Sequence, residues 1–336
     1  MTQPVQRTVR YGIVGFGRFA EHAIAPAIRN ARNSALVALQ KRSMEAARKK
    51  ADEYTVPMAF STVEDLVRHP DVDAVFIVSA NAAHCAETVA AANAGKHVIV
   101  EKPMANSVRE AEEMIAACRR NNVKLMVGHM VRLSPLVRRI RQIITSGTIG
   151  TVTSARAEFM YDGRNSHRTW LIDRAVAGGG PVFDIGVHCI DTLRAILADE
   201  PVLVSAALSP IPSRTATEEV AWINCRFARG VVASVFCSYV APFRRTLIEV
   251  VGTEGIVSAS DFTVVNQTGR VTVTKGKGDR PGATSIEDVA VPNLYVEEVS
   301  LFTGWVLGGS APEIDGENGL KNQQVIDLAL EGIPER

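Results

Sequence analysis

Gly15-x-Gly17-x-x-Ala20 stands near the head of a 336-residue chain, directly behind the apolar run Arg10–Val14 and directly before a stretch of helical period. The first glycine permits a tight turn, the second lets backbone approach a pyrophosphate, and a small third residue lets the helix close on the strand. The free N–H groups and positive dipole end of such a helix suit phosphate oxygens. The chemistry implied is dinucleotide binding through Gly15, Phe16, Gly17, Arg18 and Phe19. At the end of the second strand, an acid usually takes the ribose 2′-hydroxyl of NAD. Here the stretch is Leu39-Gln40-Lys41-Arg42-Ser43, with no acid. Lys41 and Arg42, helped by the Ser43 hydroxyl, suit a 2′-phosphate instead. NADP(H) is the preferred cofactor on this reading, with NAD(H) the alternative.

In an open parallel sheet, ligands bind outside the carboxyl ends of the strands. Polar or small residues fall at each such end: Ser79 and Asn81 with His84, then Glu101-Lys102-Pro103, then His129 with Arg132. A further cluster is Gly178-Gly-Gly-Pro-Val-Phe-Asp184-Ile-Gly-Val-His188, whose glycines let backbone come close to a ligand. Asp184 and His188 are four apart and on a helix share a face. Metal binding finds no support, because His167 and His188 lack partners at ligand spacing.

These residues need elements to hold them. Up to about residue 125, short β-branched runs alternate with Ala- and Glu-rich helical stretches, the pattern of a parallel βαβ sheet. Strands are expected at Arg10–Val14, Leu36–Leu39, Ala74–Val78, His97–Val100 and Lys124–Val127. Helices are expected between them, the last at Val108–Asn121 with Ser107 and Glu110 at capping-box spacing. Beyond Gly128 come a helix at Pro135–Ser146, a second near Asp184–Leu197, and then consecutive strand patterns: Val202–Leu208, Val220–Phe227, Val231–Tyr239, Thr246–Val251, Gly255–Ser260 and Val271–Thr274. Residues 275–292 read as a long surface loop. The expected organisation is a Rossmann domain over 1–127 and, over 128–336, an α+β substrate-binding and oligomerisation domain.

Bulk composition narrows the function classes. Hydrophobic residues make up 46% and charged residues 22%, with a formal net charge of +1, so no long-range field favours nucleic acid or an anionic membrane. The five cysteines form no C-x-x-C pair, which suits free thiols in a reducing compartment. Met1–Arg10 is polar with no apolar run behind it, and no stretch is long enough to span a bilayer, so a cytoplasmic protein is expected.

Taken together, Gly15-x-Gly17-x-x-Ala20, Gly95-Lys-His-Val-Ile-Val-Glu-Lys-Pro103 and Gly178-Gly-Gly-…-Asp184-x-x-x-His188 resemble the glucose–fructose oxidoreductase/inositol dehydrogenase (Gfo/Idh/MocA) family. Gly316-Glu-Asn-Gly-Leu320 resembles the family's stretch before its final helix. A finer likeness within the family is carried by His129-Met-Val-Arg132 and Asn293-Leu-Tyr295. The resemblance implies a Rossmann domain joined to a domain with an open, mostly antiparallel sheet whose outer face often forms a dimer interface. It also implies catalytic roles for Lys102, Asp184 and His188. Lys41 departs from it, standing where many members have Asp, and so does Ala80, where many have Pro.

The reaction expected is hydride transfer between NADP(H) and a carbinol or carbonyl carbon of a sugar, polyol or keto-sugar. Such a step gains or loses a hydroxyl proton, so it needs an acid/base group. His188 is the first candidate, because imidazole exchanges protons near neutral pH. Lys102 either moves the proton itself or stays a cation that stabilises developing alkoxide charge, and Asp184 orients one of the two. Arg132, Arg168 and Trp170 are candidate substrate contacts, two donors and a flat face for a sugar ring. The partner expected is this small molecule, with a homodimer or homotetramer formed through the second domain's sheet. Rival readings are an NADP(H)-sensing regulator, a glycoside hydrolase that recycles a held NAD, and a diol dehydrogenase with the same machinery.

Overall fold

A computed structural model of the chain describes residues 7–163, 168–210, 216–278 and 280–331. His167 and Met1–Gln6 lie outside the described residues. Two compact units form: Met1–Gly128 with Tyr295–Gln323, and His129–Leu294 with Gln324–Arg336.

In the first unit, β1 (Val9–Val14), β2 (Ser34–Gln40), β3 (Met58–Phe60), β4 (Ala74–Ile77), β5 (His97–Val100) and β6 (Leu125–Val127) lie in the order β3-β2-β1-β4-β5-β6. Every neighbouring pair is parallel. This is the doubly wound order, and its direction reverses between β1 and β4. β4 is buried along its whole length, as a strand covered on both faces must be. Helices Met44–Glu53, Val63–Arg68 and Val108–Arg120 each start on a hydroxyl, Ser43, Thr62 or Ser107, that accepts a backbone N–H three residues on. Such a cap contributes about 1 kcal/mol. The Ser107 cap has the expected Glu110, but that carboxylate accepts from the amide of Asn106. Sequence pattern missed β3, a three-residue edge strand whose residues are all half-buried and so show no alternation.

The segment Tyr295–Gln323, which the sequence places with the second domain, belongs to this first unit. Tyr11 on β1 shares a 2.7 Å hydrogen bond with Thr303, and the amide of Val127 donates to Ile314 at 2.9 Å. Gly316-Glu-Asn-Gly-Leu320 does not precede the final helix but opens it, at Gly316–Leu330. The segment packs closely on β6: a Cβ at Gly319 would lie 2.5 Å from a Val127 methyl.

The second unit carries β7 (Val152–Met160), β8 (Pro201–Ser209), β9 (Val220–Phe227), β10 (Val232–Ser238), β11 (Arg245–Gly252), β12 (Gly255–Ser260), β13 (Gln267–Lys277) and β14 (Arg280–Val291). They form one open sheet ordered β14-β13-β12-β11-β7-β10-β9-β8, antiparallel except for β7 beside β10. Helices Pro135–Thr145 and Val187–Leu197 belong to the same unit. Strand β9 alternates buried and exposed residues along its length, giving a sheet with one buried face.

Two elements depart from expectation. Residues 275–292 are not a surface loop: β14 pairs with β13 from Gln267 opposite Val291 to Lys277 opposite Arg280. β14 is an edge strand exposed over nearly all its length, so no core-facing pattern marks it. β7 sits in the middle of the sheet yet carries no strand signal, because its buried positions include Ala155 and Ala157, and alanine is depleted in strands.

Candidate functional site

The glycine loop is built in the first unit at the point where strand order reverses. Gly15 follows β1 with φ +79°, a conformation that favours glycine. Its Cα rests on the loop that follows β4: a Cβ there would lie 2.8 Å from the backbone nitrogen of Ser79. At Gly17 a Cβ would meet nothing closer than the Gly15 carbonyl at 3.7 Å, which leaves the backbone open to a ligand. These are the two different demands the motif makes of its glycines, and they fit a dinucleotide pyrophosphate.

Bracing comes from β2. The Gln40 side chain accepts from the Gly15 amide at 3.1 Å and donates to the Ser61 carbonyl, while the Gln40 carbonyl accepts from the Phe16 amide. Lys41 Nζ donates to the Phe16 carbonyl at 2.6 Å. Phe16 itself is buried against Tyr54, so its side chain is core and only its backbone borders the loop. Arg18 and Phe19 are exposed, and Phe19 packs edge-on against Tyr295. Arg42 is exposed beside Ser43, which caps helix Met44–Glu53. Sequence reasoning passed over Gln40 as merely not acidic. Its signal was its place one residue before Lys41, at the strand end that borders the loop.

The loops after β4 and β5 are tied together. His84 is buried, with Nδ1 3.0 Å from the Pro103 carbonyl and Nε2 3.2 Å from the Ser79 carbonyl. Burial first, and the nearby charge of Lys102 after it, pushes this imidazole down to about 4, so it is neutral at physiological pH. Being neutral, it donates its one N–H to one of these carbonyls and packs against the other, and so sits between the Ser79 loop and the Glu101-Lys102-Pro103 loop. Ser79 Oγ donates to Glu87 at 2.5 Å; burial, with Glu64 adding to it, pushes Glu87 up to about 7. Asn81 is buried in the same loop. Glu101 is buried, and its side chain accepts from the backbone amide of Lys102 at 3.2 Å. Lys102 is half-buried.

The second unit gathers another set. Asp184 lies in a π-helical turn, Val182–Gly186, and is buried. Arg168 donates to it in bidentate fashion, at 3.0 Å to Oδ1 and 2.8 Å to Oδ2, and Tyr161 Oη donates at 3.0 Å. Arg168 Nη2 also donates to Tyr161 Oη at 2.9 Å. Burial, and then the charge of Asp184, pushes the phenols of Tyr161 and Tyr239 up, so both stay neutral. The two rings meet edge-on at 5.4 Å. His188, half-buried one turn beyond Asp184, has Phe159 at 6.0 Å. Tyr161 and Tyr239 were missed, because neither belongs to a motif and only folding brings β7 and β10 beside the turn.

Of the expected substrate contacts, Arg168 joins Asp184, Trp170 is half-buried in a 3₁₀ turn, and Arg132 is engaged elsewhere in its own unit. Its guanidinium makes a four-contact grip on Asp191, including 2.8 Å to Oδ1. Burial alone would raise the Asp191 carboxyl, but the charges of His129, Arg132 and Arg194 outweigh it and hold the group well below its ordinary range. Among the described residues, no group of three or more His, Cys, Asp or Glu is placed to hold a metal ion, and no helix is long and apolar enough to cross a membrane.

A doubly wound sheet with a glycine loop at its switch point defines the class of dinucleotide-binding Rossmann proteins. A family model described as an oxidoreductase family with NAD-binding Rossmann fold matches residues 9–129, and the GFO/IDH/MocA C-terminal domain matches residues 137–258. The chain is 32% identical over 312 residues to 1,5-anhydro-D-fructose reductase of Ensifer adhaerens, covering 93% of this chain and 92% of that one. It is 30% identical to trans-1,2-dihydrobenzene-1,2-diol dehydrogenase of Bos taurus, over 67% of this chain and 66% of that one. The solved structure of aldose-aldose oxidoreductase from Caulobacter crescentus complexed with glycerol matches with a TM-score of 0.82 at 28% identity, over 96% of each chain. The chain belongs to the Gfo/Idh/MocA family and is an NAD(P)-dependent oxidoreductase acting on CH–OH groups.

Proposed function

We propose that the enzyme interconverts a carbinol and a carbonyl at a carbon of a sugar, polyol or keto-sugar, with NADP(H) preferred, and that Lys102, Asp184 and His188 are its catalytic residues. One observation carries the reading: His84 ties the loop packed on Gly15 to the loop that bears Lys102. The dinucleotide loop and the lysine are thereby parts of one braced edge. When bound, the nicotinamide supplies or takes up the hydride. The chain's residues handle the proton: His188 gives it to the substrate oxygen on reduction and takes it on oxidation, and the Lys102 cation stabilises the alkoxide charge between. Asp184, held by Arg168 and Tyr161, keeps the turn that presents His188 in place. Arg42 and the capping Ser43 receive the 2′-phosphate, with Lys41 holding the loop beside them.

The sugar reading is supported by the likeness to a 1,5-anhydro-D-fructose reductase over nearly the full length of both chains. The likeness to a diol dehydrogenase makes an aromatic diol the second reading. All five cysteines are free and buried, in keeping with a cytoplasmic enzyme. A homodimer or homotetramer through the second unit's sheet is supported by the exposed Leu203, Trp222 and Val232 on β8, β9 and β10.

The test is NADPH oxidation and NADP reduction over a panel of sugars, polyols, keto-sugars and diols. Lys102→Ala and His188→Ala should each lower kcat/KM by at least ~100-fold, the low end of acid/base contributions. Near-wild-type turnover in both variants sinks the assignment.

A further inference from the structure

The run Gly178-Gly-Gly-Pro-Val, which leads into Asp184 and His188, has a backbone problem at its start. A helical beginning leaves N–H groups with no partner inside the helix, and Pro181 has none to offer. The amides of Phe183 and Asp184 turn back to the Gly180 carbonyl, at 3.1 and 3.2 Å. The amides on either side of the proline, Gly180 and Val182, both donate to one atom, Oε1 of Glu218, at 3.0 and 3.1 Å. Glu218 comes from just ahead of β9 and is 1% exposed. Its main chain supports the same turn, since a Cβ at Gly180 would lie 2.0 Å from the Glu218 carbonyl oxygen. Among the described residues its other carboxyl oxygen, Oε2, is buried with no hydrogen-bond partner. No motif contains Glu218, which lies thirty-four positions beyond Asp184.

We infer that Glu218 is a positioning residue whose Oε1, bridging the amides of Gly180 and Val182, fixes the turn that presents Asp184 and His188. The inference rests on the reading of those two residues as catalytic. Without the bridge, two amides lose their acceptor inside the protein, and the π-helical turn loses its fixed starting point. Asp184 and His188 then shift together, while the glycine loop, in the other unit, keeps its own bracing. A glutamine has the same shape and keeps one oxygen to accept from both amides.

Two readouts decide the matter on purified full-length protein. In E218A, kcat should fall ~100-fold, the cost of a misplacement of about 1 Å, with the KM for NADPH unchanged. Hydrogen exchange over residues 179–188 should speed up by at least ~10-fold in E218A, as a lost buried hydrogen bond requires. E218Q should restore both, to within ~3-fold of wild type, the spread left by one preserved acceptor. Wild-type kcat in E218A, unchanged exchange, or an E218Q as impaired as E218A overturns the inference. If E218A does not fold, E218D, which withdraws the carboxyl by one methylene, stands in with the same two readouts and the same criteria. If the wild type turns over no substrate in the panel, the proposed function has failed, and hydrogen exchange alone still decides whether Glu218 braces the turn.

Discussion

Replacing Glu87 by glutamine should change the pH dependence of folding in a defined direction. Glu87 lies on helix His84–Asn93 and accepts the Ser79 hydroxyl at 2.5 Å. Burial, then the neighbouring Glu64, lifts it from an ordinary 4.5 to about 7. A carboxyl that is raised on folding binds its proton more tightly in the folded chain than in the unfolded one. Its penalty is absent below pH 4.5, grows as pH rises, and is complete above about 7. At about 1.4 kcal/mol per pH unit, the ceiling over that window is about 3 kcal/mol, and partial solvent contact lowers it to about 2. Glu87→Gln keeps an oxygen for Ser79 and removes the titration. The variant and wild type should match in stability at pH 4 to 4.5, and the variant should be about 2 kcal/mol more stable at pH 8. Urea unfolding of the cofactor-free protein at intervals across this range measures the difference. Glu218 and Glu298, also buried and pushed up, tilt both curves alike and cancel in the comparison. Parallel curves, or a variant that loses ground as pH rises, would refute the placement of Glu87.

Two further outcomes concern charged side chains. Arg42→Ala should weaken NADPH binding ~10- to 100-fold, the loss of a charge-assisted hydrogen bond, and leave NADH within ~3-fold, whereas Lys41→Ala, which releases the Phe16 carbonyl, should weaken both. Calorimetric titration with each cofactor checks this, and equal losses in Arg42→Ala dispose of the 2′-phosphate reading. Asp191→Ala should destabilise the fold by about 3–5 kcal/mol, because it leaves Arg132 without its carboxylate in a largely buried site, whereas Arg194 keeps Glu200. Differential scanning calorimetry should show a Tm lower by about 10 °C; a change under about 2 °C refutes the buried network.

By itself the sequence determined the parts whose chemistry is local. A glycine loop between strand and helix needs only residues 15 to 20, and the Ser107 cap needs only its own turn. Long apolar runs such as β4 and β5 declared a parallel sheet because both of their faces are buried. The Asp184 and His188 spacing was visible for the same reason, since both sit within about one helical turn. Where the buried residues are small or absent, the signal faded, as in alanine-lined β7 and the exposed edge strand β14. What only the tertiary structure decided is which distant groups share an environment. Gln40 braces Gly15, His84 joins two loops, Arg168 and Tyr161 grip Asp184, and Glu218 bridges two amides across a proline. Arg132, expected as a substrate donor, grips Asp191. Hydrogen bonds and desolvation act over a few ångströms whatever the separation along the chain, so these partnerships exist only once the strands have been laid side by side.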